Sequence, residues 1–166
     1  GVQKGDVYLD LGANIGMSAI NAELKGASKL YCVEPDPGVF EALKMNKGEN
    51  WELFNIAISE FNGVMDIPKW PDWWDNSLRP CLTLDEFFRR NEIDHIDYMK
   101  VDIEGHEKTV FSRVSSKTWD KINKIFIEYH EDSKKSEPDS DMERDIFCKR
   151  LMNKGFNQFD IKTSMQ

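Results

Sequence analysis

Apolar positions in this chain fall in short runs separated by longer amphipathic stretches. Val7, Tyr8 and Leu9 form one run, ending in the carboxylate of Asp10. Gly12 and Gly16 follow, and the period then becomes helical, with Ile15, Ala19, Ile20 and Leu24 on one face. A short apolar run, a glycine turn and an amphipathic helix predict a strand–loop–helix start, the helix spanning residues 14–25 with Gly26 as its stop. The same alternation predicts a strand over 29–34 closing on Glu34, a helix opened by Pro35-Asp36-Pro37 and ending near Asn46, and a strand over 51–55. Asn62-Gly63 predicts a two-residue hairpin, with a short strand over 64–67 returning antiparallel. Thr83 and Glu86 form a capping box for a helix over 84–91. A strand over 96–102, a helix over 104–114 and a strand over 124–129 follow. After a polar linker over 131–139, Ser140 and Glu143 predict a second capped helix ending at Lys154, with Gly155 beyond it and a last strand over 156–162. Residues 69–80 have no regular period.

Strands alternating with helices imply an α/β fold, a doubly wound and mostly parallel sheet. The 166 residues suffice for one domain over residues 1–166 with a sizeable core. The first strand begins almost at Gly1, so the chain reads as trimmed. A net charge of −8 with no basic run longer than a pair argues against a nucleic-acid partner. No apolar run approaches the roughly 20 residues of a membrane span. Cys32, Cys81 and Cys148 lie far apart, without metal-ligand spacing. They read as free thiols in a reducing compartment, which predicts a cytoplasmic protein. Oligomeric state leaves no signal.

In an open α/β sheet, ligands bind outside the carboxyl ends of the strands. The first turn reads Gly12-Ala13-Asn14-Ile15-Gly16, with Asn14 where a dinucleotide fingerprint has its second glycine. That substitution disfavours a pyrophosphate, and Asp10 before the turn suits a cationic ligand group. Glu34 closes the next strand, where a carboxylate accepts both hydroxyls of a ribose. A nucleoside carrying an amine is indicated, and S-adenosylmethionine fits that description. Asp and Glu at strand ends also occur simply as solvated helix starts. That plain reading is preferred for Glu107 and Glu131, and a functional one for Asp10 and Glu34 together.

The motifs DLGANIG (10–16), VEPDP (33–37), NIAIS (55–59), TLDEFF (83–88), KVDIEGHE (100–107) and IEYH (127–130) occur in an order that resembles the FkbM family of S-adenosylmethionine-dependent methyltransferases. The resemblance implies a Rossmann-like class I methyltransferase fold and O-methylation of a small-molecule or glycan hydroxyl. It implies a cofactor site of Asp10, Gly12, Ala13, Asn14, Gly16, Glu34, Pro35, Asp36, Asn55, Ala57 and Asp102. Asp102 would lie near both sulfonium and acceptor. Two departures bear on the substrate cover: little precedes the first strand, and one strand follows the last helix.

An alcohol acceptor must lose a proton. His106 and His130 are the candidate bases, with Asp102 beside them, because imidazole titrates near neutral pH. Their plain readings are a helix-start residue and a strand-end residue packed under the linker. Asp102, Glu104, Glu128 and His130 would also suit Mg²⁺ or Mn²⁺ if they converged. The metal-free reading is preferred, so no metal is expected. Lys100 is placed inside its strand, without a catalytic role. Trp70, Trp73 and Trp74, with Glu104, are expected to bind the acceptor; a small aromatic cluster covering the sheet edge is the equal alternative for the tryptophans. A nicotinamide-dependent oxidoreductase and a non-catalytic cofactor-binding module remain the other function classes.

Overall fold

Alternating residues of the first strand face opposite sides of the sheet, and both sides are buried. Tyr8 and Asp10 point one way, Leu9 and Leu11 the other, and all four are closed to solvent. A strand of this kind belongs at the centre of a parallel sheet covered on both faces. The computed structural model describes residues 1–67, 78–131, 137–156 and 161–165, with backbone alone at 131, 137–141 and 161–165.

In chain order the elements are β1 (Val7–Leu11), α1 (Met17–Leu24), β2 (Lys29–Val33), α2 (Pro37–Met45), β3 (Trp51–Phe54), β4 (Ala57–Ile58), β5 (Gly63–Asp66) and β6 (Leu78–Leu82). Then come α3 (Leu84–Arg90), β7 (Tyr98–Val101), α4 (Glu107–Phe111), α5 (Ser116–Trp119), β8 (Ile125–Glu131), α6 (Glu137–Met152) and β9 (Ile161–Met165). The main sheet has the order β3-β2-β1-β7-β8-β9, parallel throughout. The order reverses between β1 and β7, which makes their carboxyl ends the switch point where such sheets bind ligands. One core cluster packs α1 and α2 on Tyr8, Leu30, Cys32 and Trp51. The other packs α3 through α6 on Leu9, Leu11, Val33, Met99 and Val101.

The predicted stops and caps hold where they are local. Gly26 follows α1 with φ +88; its amide bonds Glu23 and the next amide bonds Ala22, a Schellman closure. Gly155 closes α6 in the same way through Met152 and Leu151. Asp36 caps α2 by accepting from the Val39 amide, with Pro37 in the first turn.

Several expectations do not survive. α1 begins at Met17, not residue 14, because Asn14 and Gly16 are left-handed. It buries Ala19 and Ala22, while Ile15 and Leu24 are exposed. Asn62-Gly63 makes no hairpin. β5 pairs antiparallel with β6, which in turn pairs in parallel with β4, so the sheet order is β4-β6-β5. β6 lies partly in the stretch expected to be irregular; Pro80 hides it in the sequence, and β4 reaches only Cys81 and Leu82. Asn62 instead accepts from the Thr83 amide, the bond that Glu86 would make in a full capping box. Glu86 turns to Arg89 and Arg90. The helix expected over 104–114 is reduced to α4, because Glu104 and Gly105 are left-handed, and a second short helix, α5, follows it. α6 starts at Glu137, so Ser140 lies inside it rather than at its cap. Trp70, Trp73 and Trp74 lie outside the described residues.

Gly12 is fixed by packing. Its φ is +80, and a Cβ there would meet the backbone oxygen of Asp102 at 1.8 Å. Gly5 has φ +91 with nothing within 4 Å of such a Cβ. Gly5→Ala should therefore cost only the left-handed strain, about 1 kcal/mol. Gly12→Ala adds overpacking against backbone and should cost roughly 2–4 kcal/mol. Urea unfolding of the two variants checks the difference.

Candidate active site

The turn after β1 uses up its own amides. Gly12 and Ala13 both donate to the Val33 carbonyl, at 3.0 and 2.9 Å. Asn14 donates to Glu34 Oε2 at 2.9 Å, and Ile15 donates to Asn14 Oδ1 at 2.7 Å. Gly16 donates to Ala13 at 2.9 Å. The amides from Gly12 to Gly16 therefore leave no cradle for a phosphate, which needs free N–H groups. Gly16 is needed for packing: a Cβ there would lie 2.9 Å from Leu43 and 3.1 Å from the Trp51 ring.

Glu34 stands at the end of β2, buried to 6% exposure. Oε2 takes the Asn14 amide and Oε1 the Asp36 amide, at 2.9 and 2.8 Å. Burial pushes its carboxyl up to about 7, against the pull of those two amides. Each oxygen keeps acceptor capacity for a hydroxyl. Asn55 does not reach outward; its Nδ2 donates to the carbonyls of Glu34 and Pro35, at 2.8 and 3.1 Å, and so holds the chain that carries Glu34. Ala57 is buried at the start of β4.

Asp10 lies within β1, just before the turn. It is fully closed to solvent. Neither of its oxygens has an aligned hydrogen bond among the described residues. Its partner is an ion, the Lys100 ammonium, 3.3 Å from Oδ1. Burial raises the Asp10 carboxyl to about 6, and Lys100 limits that rise. Lys100 also donates to the Gly12 carbonyl at 3.1 Å and lies 3.3 Å from Asp102 Oδ2. Burial would lower the lysine, but Asp10 and Asp102 outweigh it, and the ammonium is held above its ordinary range.

The third group is centred on His130 in β8, 5% exposed. Its Nδ1 meets Glu107 Oε1 at 3.0 Å. Its Nε2 faces Glu104 Oε2 at 3.4 Å and Asp102 Oδ1 at 3.7 Å. The bond to Glu107 raises the imidazole above its ordinary pKa, burial opposes, and the charges of Glu107, Glu104 and Asp102 add to the rise. Glu107 is not the solvated helix-start acid expected from its position. It is fully buried, and its Oε1 also takes the amides of Ile103 and Gly105, each at 3.2 Å. His106 caps α4 without a side-chain bond and joins none of these pairs. Glu128 is not among the acids whose oxygens converge with His130.

The sheet ordered β3-β2-β1-β7-β8-β9 thus carries a first turn without a phosphate cradle and a carboxylate at the end of β2. The profile of the methyltransferase FkbM domain matches residues 10–153.

The chain belongs to the FkbM methyltransferase family.

Among curated FkbM relatives, the 2-O-methyltransferase NoeI of Sinorhizobium fredii is 28% identical over 153 residues, covering 74% of this chain and 63% of the relative. The 31-O-demethyl-FK506 methyltransferase FkbM of Streptomyces tacrolimicus is 22% identical, covering 78% of this chain and 67% of the relative. The chain thus spans about two thirds of the length of these relatives. A crystal structure of methyltransferase FkbM from Methylobacillus flagellatus aligns with TM-score 0.57 at 16% identity, over 77% of this chain and 34% of that one. A precorrin 8W decarboxylase from Methanobacterium thermoautotrophicum aligns with TM-score 0.52 at 15% identity, over 94% and 66%. Both are likenesses of fold. Among the described residues, no helix is long and apolar enough to cross a membrane.

Two residues of the candidate site were given plain readings in the sequence, Lys100 and Glu107. Lys100 left a signal: a carboxylate in a buried strand needs a counter-charge, and Asp10 and Lys100 are register partners across β1 and β7. Glu107 left none, because its burial depends on His130 from β8.

Lys100→Met removes the cation from a fully buried carboxylate. The variant should lose about 3–5 kcal/mol near neutral pH. The loss should shrink as pH falls toward about 6, because without Lys100 the Asp10 carboxyl rises further and takes up its proton at higher pH. Asp10→Asn in the same chain should restore most of it. A double variant as unstable as the single one, in urea unfolding, would contradict this account of the pair.

Proposed function

We propose that this FkbM domain transfers a methyl group from S-adenosylmethionine to a hydroxyl oxygen of a small molecule or glycan. The observation that carries the reading is the paired design of the first two strand ends. Glu34 is held as a double acceptor beside a turn whose amides from Gly12 to Gly16 are already spent. Such a site takes a nucleoside diol and rejects a diphosphate, which disfavours the nicotinamide alternative. The names of the relatives, a 2-O-methyltransferase and a 31-O-demethyl-FK506 methyltransferase, support an oxygen acceptor.

Bound S-adenosylmethionine would supply an electrophilic methyl carbon on a sulfonium centre. In this reading Glu34 accepts from the ribose hydroxyls, with Pro35, Asp36, Asn55 and Ala57 shaping that edge. Gly12, Ala13, Asn14 and Gly16 form the floor, set from below by Asp10 and Lys100. The Asp102 carboxylate, at the end of β7, supplies negative potential for the sulfonium. The acceptor enters beside Glu104, and its hydroxyl proton leaves into the Asp102–His130 cluster, where Nε2 of His130 is the proton acceptor in the absence of any cation. Glu107 on Nδ1 fixes the tautomer that leaves Nε2 able to accept. Alignment of acceptor and methyl supplies the rest of the rate. Trp70, Trp73 and Trp74 remain the proposed acceptor lip.

Glu34→Ala should weaken S-adenosylmethionine binding by roughly tenfold or more, corresponding to about 1.5–3 kcal/mol. Unchanged affinity in calorimetry, with the fold intact, would remove the assignment. The pH dependence has a defined sign. Glu34 is raised from 4.5 to about 7, so the folded chain holds a proton that the unfolded chain loses, and this part of stability fades as pH rises through 7. The ribose needs the ionised form, so affinity should climb between about pH 6 and 8, and the climb should vanish in Glu34→Gln. His130→Ala should keep cofactor affinity and lose roughly 10²–10⁴ in methylation rate. A full rate in that variant would leave positioning alone as the mechanism, and binding without turnover in the wild type would favour a non-catalytic module.

A further inference from the structure

Away from the ribose end, three side chains from the ends of β7 and β8 meet. Asp102, Glu104 and His130 each offer one ligand-type atom, and these atoms lie within 4.8 Å of one another. His130 Nε2 is 3.4 Å from Glu104 Oε2 and 3.7 Å from Asp102 Oδ1. Both distances exceed the ~2.7–3.2 Å of an N–H···O hydrogen bond. They fall in the range for donors around a shared ion: at ~2.1 Å from an octahedral metal, adjacent ligand atoms are about 3.0 Å apart and opposite ones about 4.2 Å.

The histidine distinguishes this group from a chance cluster of surface acids. His130 is 5% exposed. Its Nδ1 is taken by Glu107, and Nε2 makes no hydrogen bond among the described residues although it is aimed between the two carboxylates. Glu107 is itself immobilised by the Ile103 and Gly105 amides. A carboxylate on one imidazole nitrogen is how proteins orient a histidine whose other nitrogen binds metal.

We propose that Asp102, Glu104 and His130 bind a first-row divalent cation of the Mn²⁺ type, with Glu107 positioning the histidine. A mixed set of one imidazole and two carboxylates suits such an ion; Ca²⁺ asks for six to eight oxygens, and Mg²⁺ is usually held by carboxylates, phosphates and water. Lys100 occupies Oδ2 of Asp102 at 3.3 Å and confines that carboxylate to a single ligand bond through Oδ1. Glu104 is 69% exposed, so the outer coordination positions open to solvent.

The use of this cation rests on the O-methyltransferase reading. An acceptor hydroxyl that enters an open position has its O–H bond weakened, and the proton passes to solvent water. The oxygen then attacks the methyl carbon as the carbon–sulfur bond breaks, and its electron pair stays on sulfur. With the cation present, His130 is a ligand and not the base.

The test is Mn²⁺ binding to the chelator-treated chain, followed by calorimetry and by pulsed electron paramagnetic resonance. The proposal expects one saturable ion per chain with nitrogen coupling from an imidazole. His130→Ala should abolish that coupling, Glu104→Gln should weaken binding roughly tenfold or more, and Glu107→Gln should weaken it roughly 10–100-fold. Glu104 is exposed, so its variant keeps the fold and keeps the proposal falsifiable. Absence of saturable binding, absence of nitrogen coupling in the wild type, or equal affinity in wild type and Glu104→Gln would overturn it. S-adenosylhomocysteine binding in chelator separates the two readings. If it persists while Mn²⁺ fails to bind, the cation site is wrong and the cofactor reading stands.

Discussion

One buried ammonium holds the switch point together. Lys100 lies between Asp10 and Asp102 and under the carbonyl of Gly12, so a single cation ties the end of β1 to the end of β7. The arrangement is costly to desolvate and works only because the charges are mutual. Its consequence is geometric. The first turn is drawn onto the backbone of Asp102 so closely that only glycine fits at residue 12. The glycine often read as room for a ligand is here room for a neighbouring strand.

That same turn gives a widely used sheet order a first loop without a phosphate cradle. A dinucleotide site keeps its amides free for phosphate. Here Val33, Glu34 and the side chain of Asn14 take them, and Asn14 holds a left-handed φ of 51° to do so. What remains is the carboxylate of Glu34, buried at the end of β2 and raised by that burial. On the other side of the switch point, Asp102 turns one oxygen to Lys100 and the other toward His130. The ends of β1, β7 and β8 are thus coupled through one carboxylate, and Glu107 extends the chain of contacts into the core.

Much of this was legible in the chain. The strands over 7–11 and 29–33, the caps at Asp36 and Thr83, and the glycine stops at 26 and 155 depend on local spacing and backbone freedom, which sequence carries directly. The pairing of Asp10 with Glu34 at consecutive strand ends was also readable, because parallel order aligns those ends. The helix over 104–114 was misjudged, since the left-handed residues Glu104 and Gly105 follow from the tertiary demand to seat Glu107 under His130. The Asn62-Gly63 hairpin failed for a related reason: β5 found a longer partner in β6, and Asn62 was worth more as an acceptor for the Thr83 amide.

The sequence by itself determined the alternation of strand and helix, the family, and which carboxylates close the first two strands. Only the tertiary structure decided which charges would be buried and with whom. Lys100 and Asp10 are 90 residues apart, and His130 and Glu107 are 23 apart. Each alone would be an ordinary surface residue. Burial makes an unpaired charge prohibitive, so the partner's position in space, set by strand order and register, fixes the role of each. Local pattern contains no record of that register, which is why Asp10 was read for its strand end and not for the lysine it is buried against.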